Sequence, residues 1–166
     1  RCGKSTLFML FKDELLSEGI KPEQIISINF EELEYEHLRE YHALYQYILE
    51  RMQPDEMNYI FLDEIQHVDQ FHRVVDSLFV KENTDLYITG SNAYFMSSDI
   101  ATLLTGRYVE IQMLPLSFSE FYYSKFDGNQ YSLIPAYESY LRESSFPYTQ
   151  QLGGEDFDIQ EYLRGL

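Results

Sequence analysis

The chain has 166 residues, the length of about one domain, and its 45% hydrophobic and 16% aromatic content is enough for a sizeable core. A net charge of −16 argues against wrapping nucleic acid by charge, which needs clustered Lys and Arg, although a local basic site stays open. One cysteine excludes an intrachain disulfide and fits a reducing, cytoplasmic setting; no apolar run approaches the ~20 residues of a membrane helix, so no membrane partner is expected.

In chain order, the first feature is Arg1-Cys2-Gly3-Lys4-Ser5-Thr6. Gly3-Lys4-Ser5 matches the last three positions of the phosphate loop G-x-x-x-x-G-K-[ST]. A glycine lets successive N–H groups turn toward a phosphate, the lysine neutralises the β- and γ-phosphates, and the serine hydroxyl is a Mg²⁺ ligand. A helix beginning here adds its positive end to the same anion site. The loop's leading glycine and the strand before it are expected to precede Arg1.

Thr6 to Glu18 reads as an amphipathic helix with Leu7, Leu10, Phe11 and Leu15 on its apolar face and Gly19 as its stop. Ile25 to Ile28 is a short β-rich run. The acidic stretch Glu31 to Glu36 leads into a predicted helix from Tyr35 to Met52, ended by Pro54. Tyr59-Ile60-Phe61-Leu62 is an uninterrupted apolar strand, as in a parallel sheet covered on both faces, and Asp63-Glu64 close it. A helix from Val68 to Phe79, a polar turn at Glu82 to Asp85 and a strand at Leu86 to Ile88 follow. Thr89-Gly90-Ser91-Asn92 ends that strand. A short helix from Ser98 to Leu104, stopped by Gly106, precedes a strand predicted over Tyr108 to Met113. Ser117-Phe118-Ser119-Glu120 fits a capping box, so a helix should run from there to Phe126. Asp127-Gly128-Asn129 breaks it, and Pro135 to Glu143 reads as one more helix.

Strand and helix therefore alternate to Phe126, which means βαβ units and a parallel sheet: an α/β class with helices on both faces. Residues 1–126 form the expected core, and 127–166 the start of a lid, linker or following domain.

The Asp63-Glu64 pair stands at the carboxyl end of a buried strand, where open α/β sheets bind ligands. An aspartate there can hold Mg²⁺, and the adjacent glutamate can orient or deprotonate an attacking water. Thr89 to Asn92 would face the same rim and contact a γ-phosphate or the water; a plain polar turn is the competing reading. Arg107, between a helix and a strand, reads either as a surface charge or as an arginine finger. His37, His42, His67 and His72 fall in two pairs spaced five apart, wrong for two ligands on one helical face, and are not assigned to a metal. Cys2 has no visible base partner and reads as a small loop filler rather than a nucleophile.

R-C-G-K-S-T, Y-I-F-L-D-E-I-Q, L-Y-I-T-G-S-N-A, A-T-L-L-T-G-R-Y-V-E-I and M-L-P-L-S-F-S-E-F-Y together resemble consecutive motifs of the bacterial and archaeal AAA-type ATPases that carry a DUF4143 region after the ATPase domain. The likeness covers about residues 1 to 125. It implies that Gly3, Lys4, Ser5 and Thr6 are the Walker A motif and Asp63 and Glu64 the Walker B pair. Asn92, or its neighbour Ser91, would be sensor 1, and Arg107 the arginine finger, acting through a homo-oligomer. The family's sheet order puts the preceding strand between those at Leu86 and Tyr108. The resulting expectation is Mg²⁺-dependent ATP binding and hydrolysis, with catalytic Glu64, Arg107 and Asn92 and with Ser5 and Asp63 on the metal. The alternative is a nucleotide-gated interaction module with negligible turnover. A small-molecule kinase is disfavoured, since no acceptor-binding motif is visible.

Overall fold

The computed structural model describes residues 3–90, 106, 108–126, 132–143, 145–151 and 164. They divide into two compact units, one of residues 5–110 and one of residues 1–4 with 111–166.

The first unit is built on three parallel strands, β1 (Ile25–Asn29), β2 (Asn58–Asp63) and β3 (Thr84–Ile88), in the order β1-β2-β3. The helix α1 (Lys4–Ser17) precedes β1, α2 (Tyr41–Arg51) links β1 to β2, and α3 (Phe71–Phe79) links β2 to β3. The register is Ser27 beside Phe61 and Phe61 beside Tyr87. Alternation along each strand then sorts the side chains onto two faces.

One face carries Ile26, Ile28, Ile60 and Leu62. With Leu44 and Ile48 of α2 and Val74, Val75 and Leu78 of α3 they form the buried core. The other face carries Ser27, Phe61 and Tyr87 and is covered by α1. Phe8 and Phe11 meet Phe61 edge-on at 5.2 and 5.9 Å, and Phe11 meets Tyr87 at 5.0 Å. Lys12 reaches over to donate to Ser27 Oγ at 3.0 Å. The apolar run of β2 thus reflects cover on both faces, as its sequence predicts.

Asn58 anchors the start of β2. Its amide donates to the carbonyls of Gln53, Glu56 and Asn83 and its oxygen accepts from Gln53 N–H at 2.7 Å, which ties together the loops entering β2 and β3.

Several expectations need correction. Of the apolar positions expected on α1, Phe11 packs on the sheet and Leu15 is buried, but Leu7 and Leu10 are 41% and 58% exposed and Phe8 takes their place against Phe61. Both sets have helical spacing, and contact with Phe61 chooses between them. The helix expected over 35–52 is instead a 3₁₀ segment, Leu33–Leu38, followed by α2 from Tyr41. Glu40 causes the break: it is extended and its carboxylate accepts from Ala43 N–H at 2.9 Å, capping a new helix. The helix expected from Val68 begins at Phe71, because Val68 is extended and Gln70 is left-handed at φ +49°. The strand expected over 108–113 is absent. Those residues are irregular, with Val109 and Ile111 90% and 75% exposed. A strand exists only through a ladder partner, and among the described residues none pairs with this segment. The sheet accordingly ends at β3 among the described residues, and the layout expected beyond it is not formed by them. The helix expected over 98–104 lies outside the described residues.

The second unit contains α4 (Phe118–Phe126) and α5 (Leu133–Glu143). The expected capping box is present: Ser117 N–H and Oγ each donate to Glu120 at 2.7 Å, and Glu120 N–H donates to Ser117 Oγ at 3.3 Å. Phe118, Phe121, Tyr137 and Tyr140 pack the two helices together, and Lys125 pairs with the buried carboxylate of Glu143.

Candidate functional site

The next row on the α1-covered face lies at the carboxyl ends of the strands. Asn29 stands beside Asp63 in the register, and Asp63 beside Thr89, one residue past β3. Three polar side chains therefore replace the Ser27-Phe61-Tyr87 row below them.

Asp63 is 6% exposed and Thr89 8%. The Thr89 hydroxyl donates to Asp63 Oδ1 and accepts the Glu64 backbone N–H at 3.1 Å. Thr89 is bound through its backbone as well: its N–H donates to Leu62 O and its carbonyl accepts Ile65 N–H, both at 3.0 Å. The tips of β2 and β3 are thus closed around the acidic pair by one residue. Within the stretch Thr89 to Asn92, the Thr89 hydroxyl is engaged with Asp63 and Glu64. A carboxylate accepting one such bond keeps capacity for further donors or a cation.

Glu64 leaves β2 in the left-handed region, φ 54° and ψ 48°, at the start of a 3₁₀ turn, Ile65–His67. For a residue with a Cβ this costs about 1–2 kcal/mol. It turns the chain sharply, so that adjacent carboxylates diverge: Asp63 stays in the sheet row, and Glu64 enters the turn. There its Oε2 accepts from the Gln66 side-chain amide. Asn29 is occupied locally, accepting from Glu31 N–H at 3.1 Å and donating to Glu32 at 3.3 Å.

Gly3 precedes α1 with φ +94°, where a side chain would be strained. Lys4 is the first residue of α1, and Ser5 and Thr6 lie in its first turn with exposed side chains. A helix of this length offers its first N–H groups to an anion. Ser91, Asn92, Arg107 and Cys2 lie outside the described residues. Gln66 closes the Y-I-F-L-D-E-I-Q motif without a role assigned to it there, and the two-sided bonding of Thr89 escapes a reading of motifs. The sequence signal for Thr89 is position alone, at the tip of the next strand.

The donors fit Mg²⁺ in one respect. That ion takes hard oxygen ligands, usually one or two carboxylates alongside substrate phosphates, and Asp63 and the Ser5 hydroxyl are of that type. Among the described residues no group of three or more His, Cys, Asp or Glu forms a self-contained cage. No described helix is long and apolar enough to cross a membrane.

A family model described as "AAA domain" matches residues 1–122, about three quarters of the chain. The chain belongs to the AAA domain family. AAA domains are P-loop domains with an ATPase-type nucleotide-binding function, and the parallel sheet flanked by helices agrees with that fold. Among curated relatives, an uncharacterized protein of Haemophilus influenzae is 43% identical over 149 residues, covering 89% of this chain and 37% of its own length. An uncharacterized protein of Methanocaldococcus jannaschii is 29% identical over 183 aligned positions, covering 100% of this chain and 39% of its own length. The AAA chain thus spans less than two fifths of the curated relatives it matches. No solved structure matches it.

Proposed function

We propose that this AAA domain binds ATP with Mg²⁺ and hydrolyses it. The observation that carries the reading is the divergence of Asp63 and Glu64 at the end of β2: one carboxylate buried and held by Thr89, its neighbour turned out by a left-handed backbone. Two adjacent carboxylates aimed differently suit two tasks, whereas a strand that simply ends needs neither the strain nor the bracing.

In this reading Gly3, Lys4, Ser5 and Thr6 bind the phosphates, with Lys4 on the β- and γ-phosphates and the N–H groups of α1 on their oxygens. Ser5 and Asp63 hold Mg²⁺, which when bound supplies charge neutralisation on the phosphate oxygens. Glu64 accepts a proton from the attacking water. The water oxygen forms a bond to the γ-phosphorus, the bond to the β-γ bridging oxygen breaks, and ADP and phosphate leave. Asn92, or Ser91, orients the water, and Arg107 contacts the nucleotide of a neighbouring copy in a homo-oligomer. Residues 1–126 are the ATPase core and 127–166 begin a lid or following domain, which in the longer protein would be the DUF4143 region. A cytoplasmic setting accords with the single cysteine.

Phosphate release from full-length protein, wild type against Glu64→Gln, is the test. The amide keeps the size of the carboxylate and loses the base, so turnover should fall about 10²–10⁴-fold with ATP affinity nearly unchanged. ATP binding without turnover in the wild type would replace hydrolysis by a nucleotide-gated interaction module. Equal loss of binding and turnover in the variant would make Glu64 a structural residue.

A further inference from the structure

Gln66 is two residues beyond Glu64, in the same 3₁₀ turn. Its amide nitrogen donates to Glu64 Oε2. Its other amide atom, Oε1, is buried and without a hydrogen-bond partner among the described residues. A glutamine with its donor engaged and its acceptor stranded is not in the arrangement that best satisfies it alone.

The same is true of Glu64, whose backbone is left-handed and fixed by the Thr89 hydroxyl. Backbone strain on one residue and an orphaned acceptor on the next but one lead to the same outcome, a single direction for the Glu64 carboxylate. A glutamate has three side-chain torsions, and Thr89 restrains only its backbone. The Gln66 amide meets the end of that side chain and restrains it there.

We infer that Gln66 is a positioning residue that holds the Glu64 carboxylate in one orientation. The inference rests on the hydrolytic reading of Glu64. Gln66 donates to the carboxylate at this contact and need not touch nucleotide to act. Its absence would let the carboxylate sample rotamers that miss the water, lowering the rate of the chemical step without weakening ATP binding. Misplacing a catalytic group by about 1 Å can lower a rate about a hundredfold.

The test uses full-length protein carrying Gln66→Met, which keeps length and volume without a donor, and Gln66→Glu, which sets a carboxylate against Glu64. Wild-type kcat should fall about tenfold to a hundredfold in Gln66→Met and further in Gln66→Glu, with KM and labelled-ATP affinity within about twofold. In a Glu64→Ala background Gln66→Met should have no further effect on kcat, since nothing remains to be positioned. A readout without nucleotide accompanies these. In protein labelled on glutamine side-chain nitrogen, the Gln66 amide protons, identified by their loss in Gln66→Met, should exchange more slowly than those of exposed glutamines, and Glu64→Ala should abolish the difference. Wild-type kcat in both Gln66 variants would overturn the inference, as would additive losses with Glu64→Ala or exchange indifferent to Glu64. No turnover in the wild type would remove the hydrolytic reading, and this role of Gln66 with it. Turnover in the wild type that Gln66→Met leaves undiminished removes only the role of Gln66.

Discussion

Thr89 is the residue on which the candidate site's geometry most depends, and replacing it by valine isolates its hydroxyl. The change keeps the branched shape and removes one oxygen. Two partners then lose their bond: the Asp63 carboxylate, 6% exposed, and the Glu64 backbone N–H. A hydrogen bond to a charged group is worth about 1.5–3 kcal/mol, and a stranded buried donor costs about 1–3 kcal/mol. Removing the threonine hydroxyl from a buried place returns part of this, and the slight exposure admits some water. The net loss should be about 2–4 kcal/mol. Thr89→Ser is the control. It keeps both bonds and loses one methyl group, which costs about 0.8 kcal/mol in transfer and no more than about 1.5 kcal/mol with the void. Urea unfolding followed by circular dichroism gives the comparison. With a slope of about 2 kcal/mol per molar, Thr89→Val should lower the midpoint by about 1–2 M at unchanged slope, and Thr89→Ser by no more than about 0.75 M. A wild-type midpoint for Thr89→Val would refute the bracing role, since valine keeps the methyl packing and lacks only the hydroxyl.

Asn58→Asp should destabilise the fold by about 3 kcal/mol or more, read as a lowered melting temperature, because the fully buried amide that donates to three carbonyls would become an acceptor facing them. The Ser117 hydroxyl, then the Ser117 N–H, hold Glu120 below the usual carboxylate range. A lowered folded value means the stabilisation is present above the unfolded value near ~4.3 and fades as pH falls through the folded one, so Glu120→Gln should raise amide exchange in α4 at neutral pH and make no difference in acid. Lys4→Ala should weaken ATP binding by the full-length protein about ten- to a hundredfold in a labelled-nucleotide titration; unchanged affinity would remove the phosphate-loop assignment.

Features whose cause is local were legible in the residues. The apolar run of β2, the capping box at Ser117 and the acidic pair closing a buried strand could be read because each depends on residues within a few positions of one another. The glycine before Lys4 has a positive φ that a residue without a Cβ adopts freely. Whatever depends on a distant partner came only with the packed fold. Which stripe of α1 is buried was set by Phe61, some fifty positions away, since two apolar stripes with the same period were available. Residues 108–113 have the composition of a strand but no ladder partner among the described residues, and composition cannot supply one. Thr89 looked like one hydroxyl in a polar turn until the register set it beside Asp63 and under the Glu64 N–H. The left-handed turn at Glu64 has no signal of its own, because glutamate adopts it only when pairings from the next strand hold it there. Sequence patterns report the preferences of a segment. The direction of a carboxylate depends on what closes around it, and here that closure comes from β3.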